Sequence, residues 1–125
     1  MNTSLSLEDL LRQKPGPGFI KPDPPPDLPI EDEPPEPEND SQSYFKKGVT
    51  FLKEKAPFDA LPYLYAAWVL DESNIKAANN IVIALWQLQC PELALKTVNK
   101  VLSIDPDNQT ARAHLKIIER RLNSK

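Results

Sequence analysis

Cysteine, histidine and glycine are scarce in this sequence, and their scarcity argues against most catalytic and metal-binding chemistry. The one cysteine, Cys90, has no second thiol with which to form an internal disulfide. It also has no neighbouring cysteine or histidine with which to bind zinc, and the three glycines do not form a phosphate-binding loop. Catalysis by a nucleophile and a base needs both groups in one cleft. We therefore expect no enzyme, no metal site and no cofactor.

Long apolar runs are absent as well. No stretch approaches the roughly 18 apolar residues of a membrane-spanning helix, so we expect no membrane insertion. The first residues, MNTSLSLEDLL, lack the basic start and the apolar core of a secretory signal, and their acids argue against a mitochondrial presequence. These features predict a cytoplasmic protein, with the nucleus as the alternative.

Proline is abundant, and it is concentrated in one region. Ten of the 14 prolines lie between Pro15 and Pro37, and residues 1–40 carry a net charge of −7 against +4 for residues 41–125. A segment so rich in proline and acid has little apolar surface to bury, which predicts a disordered arm over residues 1–40. The acidic arm would repel phosphates, so nucleic acid is not an expected partner. The arm either lies weakly on the basic half or only solubilises the protein.

One part of the arm has an apolar pattern. Leu5, Leu7, Leu10 and Leu11 allow a short amphipathic helix over residues 4–13, and Leu7–Leu11 matches the LxxLL pattern of helices that dock into apolar grooves. This segment could be a ligand for another protein, a plug for the chain's own groove, or unstructured sequence.

The second half of the chain repeats itself at an offset of 34 residues without a gap. Ala60 then coincides with Ala94, Pro57 with Pro91, and the segment 70–74 with 104–108. Within each unit, apolar residues follow the spacing of two helices separated by a short turn that contains proline. We predict helices over about 43–55 and 59–70 in the first unit, and over 75–89 and 92–104 in the second. A capping helix follows over 109–123.

The repeat resembles the tetratricopeptide (TPR) family, whose 34-residue unit carries small residues where its two helices pack closely. The matching residues are Gly48, Phe51, Ala60 and Ala67 in the first unit, and Leu85, Ala94 and the Asp105–Asn108 turn in the second. Val82 and Glu72 depart from the family's glycine and proline. The resemblance implies an all-α fold of antiparallel helical hairpins, with a TPR domain over 41–125, repeats at 41–74 and 75–108, and a capping helix.

In that family the first helix of each repeat lines a concave groove that binds peptides. By resemblance, the groove here would comprise Phe45, Lys46, Val49 and Lys53, then Lys76, Asn79, Asn80, Ile83, Trp86 and Gln87, then Ala113, His114 and Ile117. Its apolar members are expected to form an exposed patch that marks an interface; the alternative is that they pack under neighbouring elements, as in other short arrays. Asn79 and Asn80 either hydrogen-bond the backbone of an extended peptide or simply face solvent. His114 is expected at the surface.

These patterns favour a non-catalytic module, an adaptor or a chaperone, that binds an apolar or amphipathic segment of another protein in this groove. The alternative is a structural subunit of a larger assembly, with the N-terminal arm as the recognition element. Two repeats and a cap are fewer than the three that usually make a stable array. A partner chain, self-association or docking of the arm is therefore expected to cover the ends.

Overall fold

The computed structural model of the protein describes residues 28–32 and 36–124. The predicted helix over 4–13 and the LxxLL segment lie outside these residues. Within the described residues, five helices follow one another: α1 (Asp40–Lys53), α2 (Pro57–Leu70), α3 (Ile75–Gln87), α4 (Pro91–Ile104) and α5 (Gln109–Asn123). The described part of the chain contains no strand. The prediction of an all-α fold built from helical hairpins is confirmed.

The helices form two layers. Each helix packs mainly against its neighbours along the chain, so that α1 with α2 and α3 with α4 form antiparallel hairpins. Smaller contacts join α1 to α3 and α3 to α5, which places the odd-numbered helices side by side in one layer and α2 and α4 in the other. We call the side of α1, α3 and α5 that faces away from α2 and α4 the inner face.

Both hairpin turns have the same geometry at positions 34 residues apart. Lys55 and Gln89 have positive φ angles of 62° and 63°. The amide of the next residue donates back across the turn, from Ala56 to the Phe51 carbonyl at 2.8 Å and from Cys90 to the Leu85 carbonyl at 2.9 Å. This is the Schellman pattern, which satisfies carbonyl groups at the end of a helix. Pro57 and Pro91 then begin the second helices, where a missing N–H is tolerated.

Asparagine residues begin the helices that follow each hairpin. The Asn74 side chain accepts from the Ala77 amide at 3.2 Å, and the Asn108 side chain accepts from the Ala111 amide at 2.8 Å. Asn74 also donates to the hydroxyl of the buried Ser41, and that hydroxyl donates to the Ala67 carbonyl. One polar cluster thus joins the start of α1, the end of α2 and the start of α3.

A glycine allows α1 and α2 to approach closely. A Cβ atom built on Gly48 would lie 2.6 Å from Leu64 Cγ and closer still to Leu64 Cδ2. Leu64 is fully buried, so moving its side chain would disturb the close-packed core. The small residue expected at this position is therefore required by the helix packing.

We expect Gly48→Ala to lower the free energy of unfolding by about 1–3 kcal/mol, because the added methyl group overpacks the α1–α2 contact. Helix propensity alone predicts the opposite, a gain of about 1 kcal/mol. Urea denaturation measures the difference. Adding Leu64→Ala should remove the clash, so the double variant should be more stable than the sum of the two single effects predicts. A stabilised Gly48→Ala chain would contradict the close contact.

Candidate functional site

The apolar residues predicted to form an open groove are buried. Phe45 and Val49 on α1 are 1% and 0% exposed, and Ile83 and Trp86 on α3 are 0% and 5% exposed. Ile117 on α5 is half-buried, while Lys46 is exposed. The expectation of an exposed apolar patch on this face is therefore wrong. The odd-numbered helices do bring these residues to one face, but most of their side chains belong to the apolar core.

Asn80 is the polar centre of the inner face, and it holds a segment of extended backbone. The Glu31 amide donates to Asn80 Oδ1 at 2.9 Å, and Asn80 Nδ2 donates to the Glu31 carbonyl at 2.9 Å. The Asn80 side chain is fully buried. A side-chain amide carries one acceptor and two donors, so it can pair with the N–H and the C=O of one residue, as a neighbouring strand would. Asn80 therefore binds the backbone of residue 31 and does not face solvent, while its predicted role toward a separate peptide stays a prediction.

The bound backbone belongs to the chain's own arm. Residues 28–32, here called the arm segment, lie against the helices, and the burial of the first three residues alternates. Leu28 is 7% exposed and joins the main core, Pro29 is exposed, and Ile30 is half-buried against the same cluster. Alternation with a period of two is typical of an extended chain with one face on a surface. The prediction of a disordered arm over the whole of residues 1–40 is therefore wrong for residues 28–32.

A charged contact lies at the end of the arm segment. Asp32 Oδ1 is 3.2 Å from Lys53 Nζ, in the last turn of α1. Both side chains are largely exposed, so the pair adds little stability and mainly orients the segment. The last two residues of the segment thus contact Asn80 on α3 and the C-terminal end of α1.

The arm segment was not predicted from the sequence, because the proline-rich residues 1–40 were treated as one region. The signal was nevertheless present, since Leu28 and Ile30 are aliphatic residues two apart in an acidic stretch. Such a pair fits an extended strand with one apolar side. Lys53 was among the residues expected at the groove, and in the structure it contacts Asp32 of the arm segment.

Helix α3 also carries hydrogen-bonding atoms that are not used. Asn79 donates to Asn108 Oδ1 at 3.3 Å, but its own Oδ1 is buried without a partner. Trp86 Nε1 and Gln87 Oε1 are likewise buried and unpaired. Gln87 lies two helical turns after Asn80 on the same side of α3. Unpaired buried polar atoms each cost about 1–3 kcal/mol, and they are common at sites that bind ligands.

His114 is buried, which corrects the expectation of a surface histidine. Its side chain is 2% exposed, and neither ring nitrogen has a hydrogen-bond partner. Burial lowers the pKa of His114 from 6.5 to about 4, because the charged imidazolium would lose its hydration without gaining a partner. The ring is therefore neutral at pH 7.

The remaining chemical groups do not form a site. Cys90 is half-buried in the second hairpin turn, where its thiol lies 3.6 Å from the Leu88 carbonyl. Across residues 28–32 and 36–124, no three side chains of histidine, cysteine, aspartate or glutamate are grouped so as to hold a metal ion. None of the helices in these ranges is long and apolar enough to span a membrane.

The opposite layer presents an apolar surface on α2. Phe58 and Val69 are 76% and 78% exposed, and Tyr65 and Leu70 are 42% and 56% exposed. Phe58, Tyr65 and Val69 follow i, i+7, i+11 spacing, so they share one side of the helix. This outer stripe contrasts with the buried inner face.

Comparison with known proteins finds no match: no family model, no curated protein and no solved structure is similar to the chain. Inferences about the candidate site therefore come from its own geometry.

The buried ring predicts a pH dependence of stability. Above pH 6.5 His114 is neutral in the folded and unfolded chains, so it causes no change there. As the pH falls from 6.5 to 4, the unfolded chain takes up a proton that the folded chain does not, and stability falls by up to about 3 kcal/mol. Urea denaturation at several pH values measures this loss. His114→Gln should remove that part of the pH dependence, and equal dependence in both chains would contradict it.

Proposed function

We propose that this protein is a non-catalytic binding module whose inner face holds an extended segment of another polypeptide. The observation that carries the proposal is the pairing of the buried Asn80 amide with both backbone groups of Glu31. A site that already accepts one extended backbone has the geometry to accept another. The resemblance of the repeat to the TPR family, whose members bind peptides on this face, supports the same function.

The site favours an apolar or amphipathic peptide. The apolar preference follows from the arm segment, whose Leu28 joins the main core and whose Ile30 is half-buried against the same cluster. Asn80 would recognise backbone rather than side chain, which sets the register without requiring one sequence. The unpaired Gln87 Oε1 offers a further acceptor along α3. An adaptor or a chaperone needs this combination, because either must bind segments of varied sequence.

A backbone scan tests the proposal. Peptides selected from a random display library on the full-length chain are remade with single amide bonds replaced by esters, which removes one N–H at a time. We expect one ester position to weaken binding about 10-fold, a loss of roughly 1.4 kcal/mol, because it removes the donor to Asn80. Fluorescence anisotropy of the labelled peptide measures the affinity.

Asn80→Ala provides the cross-check. In that chain the same ester should weaken binding no further, since its partner is already gone. Lys96→Ala, an exposed change on α4, should leave the ester effect intact. A scan in which no ester position matters, or one whose effect persists in Asn80→Ala, would reject the Asn80 clamp.

The outer stripe favours a second candidate function, a structural subunit of a larger assembly. Contiguous exposed apolar side chains on a soluble protein usually mark a contact surface. In this alternative, α2 would be covered by a neighbouring subunit, and the N-terminal arm would be the recognition element.

Sedimentation velocity tests the second candidate. If the chain is a subunit, the isolated protein should self-associate or aggregate, and Phe58→Ser with Val69→Ser should restore a monomer at unchanged helix content. Asp59→Ala on the same helix should not restore it. A wild-type chain that is monomeric and folded at all concentrations would count against a permanent subunit.

A further inference from the structure

The arm segment makes the contacts expected of a bound peptide. At Asn80 only its backbone is recognised, through two hydrogen bonds that any residue other than proline could make at that position. Its apolar contribution comes from Leu28, with Ile30 only half-buried, and the ion pair of Asp32 with Lys53 is exposed to solvent. Nothing in these contacts distinguishes the segment from a peptide supplied by another chain.

We infer that the arm segment is a built-in competitor for the binding site, and that partner peptides share its chemistry. This inference rests on the proposed function and adds a ligand class and a form of regulation to it. The ligand is an extended peptide with aliphatic residues at two alternate positions, followed by an acidic residue. In the free protein the segment occupies the position of that ligand, and binding requires its displacement.

Three features of the segment fit a displaceable competitor. Covalent attachment gives it a high effective concentration, so few contacts are enough to keep the site filled. Pro29 restricts the backbone of the free segment, which reduces the entropy lost when it binds. Finally, no regular secondary structure joins it to the helices; residues 28–32 are held by side-chain contacts and by Asn80. Such a segment can leave while the helical hairpins remain intact.

Charge supports the same ligand class. Asp32 lies beside Lys53, and residues 41–125 carry a net positive charge. An acidic residue after the aliphatic pair would therefore be attracted to this end of the face, in the arm segment and in a partner alike. The attraction favours acidic over basic peptides.

A matched set of variants in the full-length chain tests the inference. The probe is a fluorescein-labelled peptide that copies residues 26–32. Leu28→Ser with Ile30→Ser should release the chain's own segment and leave the helices unchanged, so we expect this chain to bind the probe about 10- to 100-fold more tightly than wild type. Lys96→Ala, an exposed change on α4, should bind the probe as wild type does. Equal affinity for all three chains would overturn the inference.

Hydrogen exchange provides a test in the unaltered protein, which keeps the inference open to refutation if the double variant fails to fold. The Glu31 amide should be protected in the free chain because it donates to Asn80, and a saturating library-selected peptide should speed its exchange at least 10-fold. Unchanged protection with the peptide bound would show that the segment is a permanent part of the fold and would overturn the inference.

The outcomes separate this inference from the proposed function. One outcome is that library peptides bind wild type and the Leu28→Ser, Ile30→Ser chain equally, with an ester effect that depends on Asn80. That result would support peptide binding at Asn80 and reject competition by the arm. If neither the library peptides nor the probe binds any of the chains, the proposed function and the inference both fail.

Discussion

The burial of α3 on all its sides is the constraint on which the rest of the structure depends. Every residue from Ala77 to Trp86 is buried, including Asn79 and Asn80. A helix in water is normally amphipathic, so one buried all round needs neighbours in every direction. Helices α2 and α4 cover one side of α3, and α1 and α5 cover its two flanks. At Asn80 the arm segment adds backbone contacts on the remaining side.

This constraint explains why an acidic, proline-rich segment lies on the domain at all. Stacked helical hairpins bury their apolar faces against one another, and a short array leaves part of its central helix uncovered. Burying the Asn80 side-chain amide there without hydrogen bonds would lower the stability of the fold. The backbone of Glu31 supplies both bonds, and Leu28 adds an apolar side chain. The contacts by which the arm segment covers α3 are therefore the same contacts by which it occupies the candidate site.

The same arrangement connects stability with binding. If a partner peptide replaces the arm segment, it must cover α3 at Asn80 as well as the segment does. The unpaired atoms of Asn79, Trp86, Gln87 and His114 show that hydrogen bonding around this helix is incomplete. A face with unused donors and acceptors can gain from a longer ligand, because each added bond removes an existing penalty. The buried, neutral His114 on α5 belongs to this group.

Much of the fold could be read from local pattern. The coincidence of Pro57 with Pro91 located both hairpin turns, and the predicted helix ends lie within about three residues of the observed ones. The candidate site was predicted less well than the fold. Phe45, Val49, Ile83 and Trp86 share one face as expected, but helix periodicity indicates only the side on which a residue lies. It does not tell whether something covers that side, and so an expected open surface is part of the core.

The sequence by itself determined the helices, their turns and their order, because each depends on residues within a few positions of one another. Proline at a helix start, asparagine caps and the 34-residue spacing all act at short range. Only the tertiary structure decided that Leu28–Asp32 lies on the inner face, because Asn80 and Glu31 are 49 residues apart and meet only once α1 and α3 have packed. A long-range hydrogen bond leaves no periodic signal in the chain. The proposed function of the face depends on that bond.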